Sequence, residues 1–165
     1  MAMARSARMR KWLALALGIV VLDQISKLAI QASLGYGERL AVIPGFFNLT
    51  LAYNPGAAFS FLADAGGWQR HFFTILAVLI SGGIVWLLKK HGNEPRFCLQ
   101  LTLILGGAVG NAIDRIIYGH VVDFVQVYYQ NWYYPAFNLA DSAICIGVIL
   151  MLVDGLLRRD KKETA

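Results

Sequence analysis

Apolar residues crowd into four runs, approximately Trp12 to Ile30, Phe72 to Leu88, Phe97 to Tyr118 and Leu139 to Leu157, and polar residues, Gly and Pro return between them. Each run is near the ~20 residues that a helix needs to cross a bilayer. The pattern predicts an all-α membrane protein, one integral-membrane domain over 1–165 with helices at about 12–30, 72–88, 97–118 and 139–157. The helix connections are a short basic one from Lys89 to Arg96 and two longer ones, at about 31–71 and 119–138.

The longer connections carry a second pattern. AVIPGFFNLTLAYN is rich in β-formers and marked by Pro44 Gly45 and Pro55 Gly56, which predicts a short strand or hairpin flanked by turns. AAFSFLADAGGW after it fits a short amphipathic helix lying in the membrane interface. HVVDFVQVYY reads as a further strand able to pair with the first, and Trp132, Tyr133, Tyr134 and Phe137 read as an aromatic belt where the last helix enters.

Composition agrees with the pattern: 58% of the 165 residues are hydrophobic and 15% charged, as in a small polytopic membrane protein. The net charge of +5 does not point to nucleic acid, because the basic residues stand in short juxtamembrane clusters with no aromatic groove between them. Arg5, Arg8, Arg10 and Lys11, then Lys89, Lys90 and Arg96, then Arg158, Arg159, Lys161 and Lys162 fall on one side, while only Arg39 and Arg70 fall on the other. Both termini are therefore expected to be cytoplasmic. A basic start before LALALGIVVL resembles a signal peptide, but no small-residue site follows Leu22 and the apolar character continues, so an uncleaved first helix is expected. Cys98 and Cys145 share no metal-type spacing and no expected disulfide, the three histidines are scattered and HExxH is absent, so no metal site is expected.

Ionisable residues inside lipid are costly, and here they share a depth. Asp23 and Lys27 stack at i, i+4 in the outer half of helix 1, Asn111, Asp114 and Arg115 share a face at the outer end of helix 3, and Asn138 and Asp141 open helix 4. At a rise of ~1.5 Å per residue all lie within roughly 10 Å of one boundary. Each group also has a plain structural reading. Asp23 with Lys27 makes a simple ion pair, Asn138 with Asp141 makes a helix cap, Asn111 and Arg115 brace loops through backbone carbonyls, and Gly106, Gly107 and Gly110 permit close helix contact. Asp123, between Val122 and Phe124, fits neither a cap nor a solvated charge and requires a partner.

Asp23 Gln24 with Ser26 Lys27, NPGAAFSF from Asn54, GGAVGNAIDR from Gly106 to Arg115, Val122 Asp123 Phe124, and FNLADS from Phe137 to Ser142 together resemble the lipoprotein signal peptidases, signal peptidase II. The blocks stand in the family's order and span nearly the whole chain. The resemblance implies a multi-pass aspartic peptidase of the bacterial inner membrane, with four transmembrane helices, a periplasmic β-cradle and a site near the periplasmic face. Its substrates would be diacylglyceryl-modified prolipoproteins, met in membrane lipid by a monomer without a cofactor and cut on the N-terminal side of the lipidated cysteine. Carried over by position, Asp123 and Asp141 are the catalytic pair, and Asn54, Gly56, Asn111, Asp114, Arg115 and Asn138, with Asp23 and Lys27 in support, line or brace the cleft. Two carboxylates a few Å apart would share one proton, and the helix 4 dipole favours an ionised Asp141 as base and Asp123 as acid.

Two other classes compete. A proton-coupled small membrane transporter also buries Asp and Arg, but calls for a continuous polar path that the inner halves of the helices lack. A Ser/Lys peptidase would use Ser26 and Lys27, yet adjacent helical residues point about 100° apart.

Overall fold

The computed structural model describes residues 2–56 and 66–163. Four helices form in the predicted places, α1 (Ala2–Ser33), α2 (Trp68–Lys90), α3 (Pro95–Ile117) and α4 (Leu139–Glu163). All four contain stretches long and apolar enough to span a bilayer. The span of α3 is 61% buried against 11 to 22% for the others, so α3 is the central post and α1, α2 and α4 pack around it. The outer faces expose Leu17, Leu22 and Ile25 of α1, Ile75, Val78 and Leu79 of α2, and Leu152 and Leu156 of α4. An apolar exterior of this kind is stable only in lipid.

Close approach is what the α3 glycines provide. A Cβ on Gly107 would lie 2.3 Å from the Ala140 carbonyl oxygen of α4, one on Gly106 would lie 2.8 Å from Ile19 of α1, and one on Gly110 would lie 2.7 Å from the Asp23 carboxylate. At the end away from the sheet, Trp12, Ala16, Ile84, Leu88, Cys98, Leu101 and Leu105 form the apolar core. A polar side chain joins α3 to α4 in that half: Gln100 Nε2 donates to Asp154 Oδ2 at 2.8 Å and to the Leu150 carbonyl at 3.2 Å.

The connections fold into an antiparallel sheet in the order β1 (Arg39–Ile43), β2 (Phe47–Asn54), β3 (Val121–Tyr129), β4 (Trp132–Tyr133). Both expected strand regions are present and they pair. Pro44 Gly45 stands between β1 and β2 and so bounds both. It is the turn inside the hairpin, with Phe46 N–H donating to the Ile43 carbonyl at 3.1 Å and Gly45 at φ 82°, which suits Pro and Gly at the two central positions of a type II turn. The aromatic run is also more than a belt, since Trp132 and Tyr133 pair with Tyr129 and Tyr128 as the edge strand. The interfacial helix expected over residues 57–68 lies almost wholly outside the described residues, and Trp68 opens α2 instead.

Candidate active site

Register in the sheet delivers the first carboxylate. Asn54 pairs with Val121, so Asp123, two residues further along β3, shares the face of Asn54, and Asn54 Nδ2 donates to Asp123 Oδ2 at 3.1 Å. Past β4, Phe137 returns to β3, its carbonyl accepting from Phe124 and Val125 at 3.0 and 2.8 Å. That pairing sets Asn138 beside Asp123, and Asn138 Nδ2 donates to Asp123 Oδ1 at 2.7 Å.

Asn138 is also where α4 begins, which delivers the second carboxylate. Asp141 N–H donates to Asn138 Oδ1 at 2.8 Å, and Asn138 N–H donates to Asp141 Oδ2 at 3.3 Å, a reciprocal cap of the capping-box kind. Asn111 Nδ2 donates to the other oxygen, Asp141 Oδ1, at 2.7 Å. The cap of α4 and the joining of the two carboxylates are thus one arrangement. Among the described residues each of the four carboxylate oxygens receives one N–H, and Asn138 binds both aspartates.

Lys27 fixes which way the Asn111 amide faces. An ammonium only donates, and Lys27 Nζ points at Asn111 Oδ1 from 3.0 Å, so the amide NH2 must face Asp141. The remaining Lys27 protons go to Asp23 Oδ2 and Asp114 Oδ2, both at 2.8 Å. All three residues are almost fully buried, with 2% exposure or less. Each acid then reaches into backbone: Asp23 Oδ1 accepts from Ala140 N–H at 2.9 Å, and Asp114 Oδ2 accepts from Val122 N–H at 3.1 Å. The simple ion pair foreseen for Asp23 and Lys27 is one edge of a larger cluster.

Arg115 does brace a loop. Its Nη2 donates to the Gly56 carbonyl at 2.7 Å and its Nη1 to the Asn111 carbonyl at 3.3 Å, with Phe73 of α2 5.3 Å from the guanidinium. Gly56 N–H in turn donates to Asn54 Oδ1 at 3.0 Å, which aims the Asn54 NH2 at Asp123. Asn111, by contrast, makes its side-chain bonds to Asp141, Lys27 and Asn138 rather than to loop carbonyls. Ser26 is turned away from this cluster, its hydroxyl donating to the Asp23 carbonyl at 2.7 Å, and the Ser/Lys arrangement is absent.

Electrostatics separates Asp123 from an ordinary surface acid. Burial, and after it the charge of Asp141, push its carboxyl up to about 7, against the bonds from Asn54 and Asn138 and the charge of Lys27, which lower it. Beside the pair lies a cavity of about 300 Å³, lined by Asn54, Asp141 and Ser142 on its polar side and by Tyr134, Phe137, Cys145 and Ile146 among its apolar walls. A concave apolar site with a few converging polar groups is what a ligand pocket requires. Among the described residues no cluster of His, Cys, Asp and Glu suited to a metal ion is present.

Sequence reasoning missed Gln24, whose Nε2 donates to Asp114 Oδ1 at 2.8 Å and to the Gly110 carbonyl at 3.2 Å and lies 3.3 Å from Asp23 Oδ2. A signal existed: an amide one turn before Lys27 in a lipid-spanning helix requires partners. The cavity walls had no such signal, because Cys145 and Ile146 are apolar residues inside an apolar run.

A protein-family profile described as Signal peptidase (SPase) II matches residues 15–157. A lipoprotein signal peptidase of Cupriavidus necator is 58% identical over 147 residues, covering 89% of this chain and 83% of the relative. One of Neisseria gonorrhoeae is 53% identical over 160 residues, covering 96% of this chain and 97% of the relative. Among solved structures, a bacterial membrane enzyme determined by the in meso method at 2.3 Å resolution superposes with a TM-score of 0.83 at 32% identity, covering 92% of this chain and 91% of that one. These matches give no support to a transporter. With a profile matching most of its length and relatives above half identity, the chain belongs to the signal peptidase II family of membrane peptidases.

Proposed function

We propose that this chain removes signal peptides from diacylglyceryl-modified prolipoproteins by aspartic chemistry, with Asp123 and Asp141 as the catalytic pair, cutting on the N-terminal side of the lipidated cysteine. The observation that carries this reading is Asn138, which binds both carboxylates and thereby holds them at one site beside the cavity.

Like charges this close resist joint ionisation, so the pair carries one proton. Asp123 is its natural holder, since its carboxyl lies near 7 in a buried place between two amides. Asp141 stands in the first turn of α4, where the dipole favours a carboxylate. Ionised Asp141 takes a proton from a water, and protonated Asp123 donates to the scissile carbonyl and stabilises the charge that develops on its oxygen. Asn54, Asn111 and Asn138 hold the two carboxylates in place while their charges change. No acyl-enzyme is needed.

The substrate reaches a site set among helices that expose apolar faces, so lateral entry from the bilayer suits a lipid-modified peptide. The basic clusters of the α1 start, the α2–α3 connection and the α4 end support cytoplasmic termini in a bacterial inner membrane, which puts the sheet and the aspartates near the periplasmic face.

The test is cleavage of a lipidated prolipoprotein against its unlipidated counterpart by the purified enzyme, alongside Asp123→Asn and Asp141→Asn. Wild type should cut the lipidated form, and each variant should lose at least the 10²- to 10⁴-fold that acid–base groups typically contribute. Undiminished turnover by either variant removes that residue from the chemistry.

A further inference from the structure

The two aspartates arrive on different backbone, Asp123 on a strand and Asp141 on a helix, and Asn138, with the pairing of Phe137 to β3, ties the two segments on one side. A second tie runs behind the pair. The residue next to each aspartate donates its N–H to a buried acid: Val122 to Asp114, and Ala140 to Asp23. Lys27 joins the two acids at 2.8 Å each, and Gln24 reaches Asp114 at 2.8 Å and Asp23 at 3.3 Å. The path from β3 to α4 is therefore Val122, Asp114, then Lys27 and Gln24 side by side, then Asp23 and Ala140. Its two central members belong to α1, which carries neither aspartate.

Resting on the reading of Asp123 and Asp141 as the reacting pair, we infer that Gln24 and Lys27 are positioning residues that set the distance between the two aspartate-bearing segments. Neither needs to touch substrate. Lys27 has a second path to the pair, through Asn111 to Asp141, and its charge acts on Asp123. Gln24 is neutral and acts through geometry alone. This difference separates the two residues experimentally. The charged groups whose fields reach Asp123 or Asp141 are Lys27 of α1, Arg115 of α3 and the two aspartates themselves, while Asp23 and Asp114 flank Lys27.

A comparison of Gln24→Leu, Lys27→Met and Gln100→Leu in the full-length enzyme, with a lipidated prolipoprotein as substrate, tests the inference by kcat and KM separately, the pH profile and the melting temperature. Displacing a reacting group by about 1 Å costs on the order of 100-fold. Gln24→Leu should lower kcat by about 10- to 100-fold with KM and the pH midpoint unchanged. Lys27→Met should lower kcat as well and move the Asp123 limb to higher pH. Gln100→Leu, which breaks the α3–α4 bond at the far end, should lower the melting temperature and leave kcat alone.

The inference is overturned if folded Gln24→Leu turns over like wild type, if its loss falls on KM, or if Gln100→Leu loses kcat equally, which would mean that general loosening of the bundle is responsible. Should Lys27→Met not fold, Gln24→Leu alone decides. Retained turnover by Asp123→Asn would instead defeat the underlying reading of the pair, so the two failures are distinguishable.

Discussion

Gly107→Ala places a single methyl group between α3 and α4 where there is no room for it. Its Cβ would stand 2.3 Å from the Ala140 carbonyl oxygen and 2.7 Å from Ile144, and ordinary contact begins near 3.4 Å, so the helices must part by about 1 Å at Ala140. Two energetic effects oppose each other. Alanine gains about 1 kcal/mol of helix propensity over glycine, and overpacking costs about 1–3 kcal/mol, so a net loss of up to about 2 kcal/mol is expected.

The kinetic effect should be larger than the thermodynamic one, because Ala140 immediately precedes Asp141. A 1 Å retreat takes the 2.7 Å bond from Asn111 to Asp141 out of hydrogen-bond range. A misplacement of that size costs on the order of 100-fold in turnover. The assay is kcat on a lipidated substrate together with the melting temperature in the same detergent, compared with Gly18→Ala, where nothing lies within 4 Å of the added Cβ. If folded Gly107→Ala turned over at the rate of that control, the claim that helix spacing positions Asp141 would be refuted.

With Asp123 as acid, activity should fall as pH rises through about 7, because a raised carboxyl pKa keeps the proton up to that point and surrenders it above; a limb that did not move with Asp123 substitutions would contradict the assignment. Asn54→Leu removes a bond that lowers this value, so the same limb should shift upward while kcat drops, as a pH–rate series would record. Arg115→Lys keeps the charge but can reach only one of the Gly56 and Asn111 carbonyls, and kcat should fall by about tenfold, the equivalent of roughly one charge-assisted hydrogen bond; full turnover would deny the two-carbonyl brace. Ser26→Ala should be silent in kcat and change stability by no more than about 0.5 kcal/mol, since its hydroxyl bonds only to its own helix among the described residues; loss of activity would revive the Ser/Lys alternative.

The spans were legible because lipid imposes length and apolarity on any helix that crosses it, and the polar residues of α1, α3 and α4 stood out against that background. Strand character was equally visible in HVVDFVQVYY, since β-branched and aromatic residues dominate it. Pairing partners were less visible. That Asn54 lies diagonally across from Asp123 depends on a register shift between Leu49 and Ala52, which no local pattern announces. Nor could spacing alone choose between a cap and a site for Asn138 and Asp141, because Asn138 both caps α4 and binds Asp123. The backbone donors to Asp23 and Asp114 were hidden for a simpler reason: an N–H carries no residue identity, so contacts from Ala140 and Val122 leave no mark in the sequence.

The cradle around the aspartates is made of Asn54, Asn111 and Asn138, and carboxamides do not ionise in water at any ordinary acidity. Acidifying or alkalinising the medium therefore changes the proton count of the reacting groups and leaves the three amides that touch them chemically unaltered. The amides that grip the two aspartates thus keep the same grip in either protonation state of the pair.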